Sequence, residues 1–501
     1  MIVDPELVPV VVAVGQASER GTPVSPLALM ERAARAALDE APGMASRIDR
    51  VSVVSVINGG GSAPASALAR RLGLRAGVRE TSAIGGNSPQ WLVNRAAGAI
   101  ASGHGGATLV AGAEAVRSLR EAPELASEAE PAAADPVVGD DRPGLSALEL
   151  SARLMLPAHV YPLFESVLAA RAGRSFEEHR RALAELMAPF TDVAVSHPHA
   201  WFRRSRTPDE LADPDHDNRV VAEPYTKLMN AFLSVDQGAA LVVTSLAVAR
   251  EAGAAEGAVY VHGGADANDV WFPVERPDLG RSEGLAVAAR AALDAARTTV
   301  DDVDLLDLYS CFPSAVEMAI DALGLEPDDA RGFTVTGGLP YFGGPGNNYS
   351  THAIATMVER LRHEGGRGLV TALGWFVTKH SVGVYGVAPP EAGFRLGETT
   401  HAQGRIDATA LPVAEILDAP MEGTVEASTV IYDKRTGEVG SVPALVTLDD
   451  GRRTAAVAEK NELEALAGVN LVGARVVVEG TPLRFRVEKP PPSGGPERIT
   501  G

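Results

Sequence analysis

The chemistry this sequence can offer rests on one thiol, a few imidazoles and a glycine-rich loop. Cys311 is the single cysteine; as a thiolate it would be a nucleophile, and a small buried core residue is the competing account. His380 stands in Trp375-Phe376-Val377-Thr378-Lys379-His380-Ser381, where an imidazole can act as a general base or as a structural hydrogen-bonder. Ser88 offers a hydroxyl, with a pKa far above that of a thiol. Gly337-Gly338-Leu339-Pro340-Tyr341-Phe342-Gly343-Gly344-Pro345-Gly346-Asn347-Asn348-Tyr349-Ser350 precedes a helical run over residues 351–362 that contains His352. A loop of that composition lets backbone approach a ligand closely, and the helix start after it points unpaired N–H groups outward. Asn87, Asn347 and Asn348 add polar side chains, which loop conformation would also explain. His197, His199, Trp201, Arg203, Arg204 and Arg206 lie close together. Paired arginines suit phosphate through forked hydrogen bonds, and a solvated loop that counters an acidic protein accounts for them equally well.

The elements that must position these residues alternate. Residues 8–14 and 51–57 read as buried strands, 26–41 as an Ala-rich helix, 90–102 as a helix opened by the loop Ile84-Gly85-Gly86-Asn87-Ser88-Pro89, and 108–112 as a further strand. The pattern then repeats. Ala33-Ala34-Arg35-Ala36-Ala37-Leu38-Asp39 is echoed by Ala288-Ala289-Arg290-Ala291-Ala292-Leu293-Asp294, and Gly105-Gly106-Ala107-Thr108-Leu109-Val110 by Gly365-Gly366-Arg367-Gly368-Leu369-Val370. Two echoes in one order, with a glycine-rich loop and a helix between them each time, predict a duplicated βαβ unit whose halves meet at their loop ends. Residues 122–143 read as a solvated loop and 148–189 as helical, together an insertion over the site. Residues 423–432, 441–448 and 475–478 alternate like strands, separated by Thr436-Gly437 and Asp449-Asp450-Gly451, so a small all-β module is expected at the end, with a disordered tail after Lys489.

At 501 residues, and roughly 150 per domain, about three domains are expected. A formal net charge of −20 argues against a nucleic-acid or anionic-membrane partner, which needs a basic face. One cysteine excludes an intrachain disulfide and a cysteine metal cluster, and no metal is expected. No apolar run reaches membrane-spanning length, and residues 1–6 show no basic stretch before an apolar one, so a cytoplasmic chain is expected.

The loop at 337–350 resembles that of thiolases, N-x-x-G-G-x-x-x-x-G-H-P-x-G-A-x-G, and the resemblance runs over roughly residues 5–390. Asp236-Gln237-Gly238-Ala239-Ala240 is similar to the family's S-D-G-A-A, Tyr309-Ser310-Cys311-Phe312 to its N-E-A-F or H-D-C-F segment, and Ala372-Leu373-Gly374 to its C-x-G. The closest resemblance is to the actinobacterial thiolase-like protein type 1 group, commonly labelled acetyl-CoA acetyltransferase. It implies an α/β thiolase fold of duplicated halves in five αβαβα layers, with the C-terminal module OB-like, and a coenzyme A thioester site. Thiolase chemistry asks for a Cys nucleophile, an activating His, a second Cys and an oxyanion hole. The nucleophile's position falls on Gly86, or within Gly86 to Ser88, the His of G-H-P on Gly344 and the second Cys on Ala372, while Tyr309 stands where the N-E-A-F or H-D-C-F segment has Asn or His.

The expected domains are 1–120 with 207–256, an insertion at 121–206, a second half at 257–400, the β module at 405–489 and the tail at 490–501. The expected function is a thiolase-like protein that binds coenzyme A or acyl-CoA through Asn87, Gly343, Asn347, Asn348, Arg203 and Arg204, without Claisen condensation or thiolysis, and connected with lipid metabolism. No covalently bound cofactor is expected. The alternatives are an acyltransferase built around His380, with Cys311 and Ser88 as lesser candidates, and a non-catalytic subunit. The expected assembly is a monomer or homodimer, with the β module as a surface for a protein partner.

Overall fold

A computed structural model describes residues 4–126, 133–391 and 393–491. Two half-sheets carry the body. In the first, the strands Val78–Ser82, Ile48–Val53, Ala107–Ala115, Asp236–Ser245 and Pro9–Ser18 lie side by side; in the second, Leu305–Asp307, Arg367–Gly374, Lys379–Gly386 and Val259–Asn268 do. A short antiparallel contact of Val10 and Val11 with Tyr260 and Val259 joins them into one run. The predicted duplication is visible in pairing as well as order. Ala107–Ala115 is parallel to one neighbour and antiparallel to the other, and so is its echo Arg367–Gly374.

The helices explain the layers. Pro26–Glu40 covers the outer face of the first half-sheet and Glu283–Ala296 that of the second, while Ser88–Ala101 and Tyr349–Glu364 lie between the half-sheets. The outer helices approach through small residues. A Cβ on Gly15 would overlap the Ala33 carbonyl and lie 2.6 Å from Ala37 N; one on Gly263 would lie 2.6 Å from Ala292 O and 2.8 Å from Ala296 N. The echoed alanine-rich sequences are thus the surfaces on which helix meets sheet. The first turns of the second central helix have no solvated side: Tyr349 through Val358 are all buried.

The insertion contributes the helices Ala147–Ser151, Pro157–Arg171 and Phe176–Ser196. Its first part is more ordered than its composition suggests. Val137–Val138 pairs in parallel with Thr81 and Ser82, so the outer edge of the first half-sheet is occupied by the chain's own backbone. The C-terminal strands Met421–Ser428, Pro443–Leu448, Arg453–Ala458, Arg484–Lys489 and Arg475–Glu479 close a barrel in that order. The order first-second-third-fifth-fourth, with a parallel closure between Arg453–Ala458 and Arg484–Lys489, is that of an OB-type barrel. Two of its strands, Arg453–Ala458 and Arg484–Lys489, escaped the sequence reading, and the predicted tail falls mostly outside the described residues. The barrel rests on the insertion: Ser428 N donates to Ser166 Oγ at 3.1 Å and Asn470 Nδ2 to Ser166 O at 2.8 Å. Among the described residues no helix is long and apolar enough to cross a membrane.

Candidate functional site

The expected site forms where the central helices begin. Gly86 precedes helix Ser88–Ala101, Gly344 and Asn347 precede helix Tyr349–Glu364, and Tyr309 and Ala372 come from Leu308 onward and from strand Arg367–Gly374. The structure brings them together: Ser350 Oγ donates to Gly86 O at 3.0 Å, and Asn347 Oδ1 accepts from Gly85 N at 3.0 Å.

Glycine at 86 has a steric cause. A Cβ there would overlap the Tyr309 hydroxyl, lie 2.7 Å from Tyr309 Cζ and 2.5 Å from the Leu373 carbonyl oxygen. The phenol therefore fills the space into which a side chain at 86 would project. Tyr309 is held by Thr371 Oγ1 on its backbone N–H at 2.9 Å and by an edge-to-face contact with Tyr349, and burial raises its pKa far above the usual phenol value. The glycines of the 337–346 loop are explained in the same way. A Cβ on Gly343 would overlap Gln237 Oε1, one on Gly346 would lie 2.6 Å from Glu114 Oε1, and one on Gly338 2.6 Å from Ser310 Oγ. The loop is packed against its own protein. Gly344 is the loosest of these, its nearest neighbour being Leu233 Cδ2 at 3.3 Å.

The asparagines act as clamps. Asn347 Nδ2 donates to Ser55 O at 2.9 Å, while Asn348 Nδ2 donates to Gly112 O at 2.7 Å and its Oδ1 accepts from Thr351 at 2.6 Å. Ser88 Oγ donates to Ala83 O at 2.9 Å. Cys311 is buried, and desolvation pushes its thiol up to about 12. His352 is fully buried with Nδ1 on Gln16 Oε1 at 2.7 Å, and burial holds His197 down at about 3, its Nε2 on Thr356 at 2.9 Å. Arg203 and Arg204 are exposed; Arg203 Nε donates to Val195 O at 3.1 Å and Arg204 pairs with Glu210. Arg204 also lines a cleft of about 520 Å³ with Arg206, Lys227, Asn218, Phe202, Phe232 and Pro340.

His380 and Lys379 separate by strand alternation. His380 is buried against Asp269 Oδ2 at 2.8 Å and Ser282 Oγ at 3.1 Å, and Ser282 begins the outer helix Glu283–Ala296. Both partners meet the same ring nitrogen, Nε2, so the trio is not a relay from hydroxyl through imidazole to carboxylate. Lys379 and Ser381 turn the other way, toward the Gly86 loop. Lys379 Nζ donates to the backbone carbonyls of Ile84 and Asp140, and Ser381 accepts from Asn87 Nδ2 at 3.3 Å. Beside them opens a cavity of about 490 Å³ lined by Asn87, Ser88, Trp91, Asp140, Asp266 and Lys379, among others. Lys379 and Asp266 were not singled out from sequence. The available signal was the period-2 alternation around His380, which points its two neighbours to the loop side.

Glu114 and a further buried set were also missed. Glu114 accepts from Ile57 N at 2.6 Å and from Asn58, with its carboxyl pushed up to about 7 by burial. In the insertion Glu165 accepts from His179 at 2.6 Å and from Tyr225 at 2.5 Å, and Tyr225 also reaches Ser314 at 2.9 Å.

The structure is similar to that of a monomeric SCP2-thiolase-like protein type 1 from Mycobacterium smegmatis, 34% identical, at a TM-score of 0.83 over 97% of this chain and 100% of that one. An acetyl-CoA acetyltransferase from Syntrophomonas wolfei shares the fold at 19% identity, with a TM-score of 0.56 over 76% of this chain and 99% of that one. The Ltp2-ChsH2(DUF35) aldolase does so at 18% identity, with a TM-score of 0.60 over 76% of this chain and 98% of that chain. Among curated proteins, an acetyl-CoA acetyltransferase from Methanothermobacter thermautotrophicus is 25% identical over 243 residues; the match spans 46% of this chain and 62% of that protein. No family model matches the sequence.

Proposed function

The chain belongs to the SCP2-thiolase-like protein type 1 family of the thiolase superfamily, and from that premise we propose that it binds coenzyme A thioesters without performing Claisen condensation or thiolysis. The observation that carries this reading is the packing at Gly86. The position of the nucleophile has no side chain, and the volume it would need holds the phenol of Tyr309 and the Leu373 carbonyl. The other two chemical positions, Gly344 and Ala372, offer neither imidazole nor thiol. Cys311 does not substitute, because a thiol pushed up to about 12 is almost wholly protonated at neutral pH. His380 does not substitute either, since its Nε2 is taken up by both Asp269 and Ser282.

Support for the thioester comes from the cleft at Phe202, Arg204, Arg206 and Lys227. It sets Arg204, Arg206 and Lys227 among Glu210, Asp215 and Asp217, with Arg204 paired to Glu210, so Arg206 and Lys227 with the rings of Phe202 and Phe232 are what it offers a phosphorylated nucleotide attached to an apolar chain. A bound acyl thioester would connect the protein with lipid metabolism, and the occupied sheet edge at Val137–Val138 favours a monomer. The barrel serves as a packing module on the insertion. Titration calorimetry with coenzyme A and acetoacetyl-CoA, run beside a thiolysis assay, tests the reading. Saturable heat with no thiolysis is expected. Absence of heat at millimolar ligand removes the binding claim, and turnover above the uncatalysed rate removes the claim of inertness.

A further inference from the structure

The chain carries 45 Lys and Arg residues, of which five are lysines: Lys227, Lys379, Lys434, Lys460 and Lys489. Four of the five are exposed, and Lys379 alone is buried, at 5% exposure. It borders the cavity of about 490 Å³ beside the Gly86 loop, together with Asn87, Trp91, Asp140, Asp266 and Gln403. Two observations mark this cavity as more than a packing defect. Asn87 is only 8% exposed, and its Oδ1 has no hydrogen-bond partner, although it lies among Gly85, Gly374 and the Lys379 side chain. Asp266 reaches the same cavity with no cation paired to it; Asn94 Nδ2 donates to its Oδ1 at 3.0 Å.

The lining also decides the class of ligand. Asp140 is engaged with Arg142 at 2.6 Å, desolvation favours the protonated Asp266 carboxyl, and Asp407 is the carboxylate left to face Lys379, so the lining holds no uncompensated cation. That balance disfavours an anion and suits a neutral molecule that can react with an amine. We propose that Lys379 is an imine-forming residue that captures a small neutral aldehyde or ketone in this cavity. This activity goes beyond thioester binding and does not depend on it.

The step balances without an oxidant or metal. The neutral Nζ forms a C–N bond to the carbonyl carbon, and the C=O π pair moves to oxygen, which takes a proton from the Asp266 carboxyl. The carbinolamine nitrogen returns a proton to Asp266, which then protonates the hydroxyl so that it leaves as water while the nitrogen lone pair forms the C=N bond, and the resulting iminium N–H gives its proton back to Asp266; two protons leave nitrogen and both end in water, so the sum is amine plus carbonyl giving imine plus water. The environment favours both partners. Burial brings the Lys379 ammonium down to about 8 against the opposing pull of Asp140 and Asp141, and desolvation holds the Asp266 carboxyl up at about 7. At neutral pH a lysine near 8 has a free-amine fraction roughly two hundred times that of an exposed one.

The test uses the full-length protein, butanal and sodium cyanoborohydride at pH 7.5, with peptide mapping by mass spectrometry to separate lysines from the α-amino group. Lys379 is expected to carry the reduced adduct at least about tenfold faster than Lys227, Lys434, Lys460 or Lys489. In Asp266→Asn the Lys379 rate should fall while that of Lys227 is unchanged, and Lys379→Arg should lose the adduct with its melting temperature retained. Labelling of Lys379 no faster than of the exposed lysines overturns the proposal. An unchanged Lys379 rate in Asp266→Asn overturns the proton-transfer role.

Discussion

Gly86→Ala adds a single methyl group, and the structure states what that methyl meets. It overlaps the Tyr309 hydroxyl and lies 2.5 Å from the Leu373 carbonyl oxygen. The phenol is the end of a side chain and can turn aside, but it is buried and packed on Tyr349; the carbonyl is backbone of strand Arg367–Gly374 and cannot yield without moving its sheet. An overpacked core methyl of this kind costs about 1–3 kcal/mol. Removing the ring in Tyr309→Ala costs about 3–5 kcal/mol by itself through the cavity left behind. In the double variant the new methyl enters space the ring has vacated, so the two costs should fall short of their sum by about 1–2 kcal/mol, the part of the clash owed to Tyr309. Urea unfolding of the four proteins gives the cycle, followed by far-UV circular dichroism and by tyrosine fluorescence so that separate unfolding of the barrel is seen. Additive costs, or a Gly86→Ala cost below about 0.5 kcal/mol, would refute the account of Tyr309 as the occupant of the nucleophile's space. Gly86→Cys adds the thiol but neither an imidazole at 344 nor a second thiol at 372, and should remain inactive in thiolysis.

Further expectations follow from the buried groups. Cys311 should resist iodoacetamide at pH 8 for hours in the folded protein and react within minutes in urea, since its thiol is buried and held up at about 12; fast native labelling, read by mass spectrometry, would contradict this. Asp307 is fully buried, with its carboxyl pushed up to about 7 by desolvation. The folded state therefore holds this proton more tightly than the unfolded chain, so its stabilising contribution is complete below about pH 4 and is lost as pH rises through about 7. The stability of wild type relative to Asp307→Asn should accordingly fall between pH 4.5 and 7.5 in urea titrations, and a rise over that window would contradict the assignment. Tyr225→Phe removes the hydroxyl that bridges Glu165 at 2.5 Å and Ser314 at 2.9 Å. It should cost about 1–3 kcal/mol in unfolding free energy, and a neutral effect would show that Glu165 does not need that donor.

The duplicated architecture was legible in the chain because repeated alanine-rich helices and glycine–strand junctions record how helix meets sheet, a property local enough to survive in sequence. The barrel was only half legible. Gly423 to Tyr432 alternates as strands do, whereas Arg453–Ala458 contains a run of small residues whose strand character comes from pairing with Pro443–Leu448 and Arg484–Lys489. Val137–Val138 was hidden in a polar segment because two residues define no period, and only the free edge at Thr81 and Ser82 gives them a partner.

The glycine loop divides what sequence and tertiary structure each decide. Residue types alone match Gly86, Gly344 and Ala372 to the Cys, His and second Cys of the thiolase motifs and Tyr309 to the Asn or His of another, because matching a motif requires only order along the chain. Which volumes those residues occupy is a matter of contacts between segments distant along the chain. The Tyr309 ring stands at Gly86, Gln237 fills the space at Gly343, and alternation on one strand turns the His380 ring to Asp269 and Ser282 and the Lys379 amine to the carbonyls of Ile84 and Asp140. Order along the chain fixes chemical identity, whereas steric exclusion and desolvation act through space and depend on every neighbour that folding brings near.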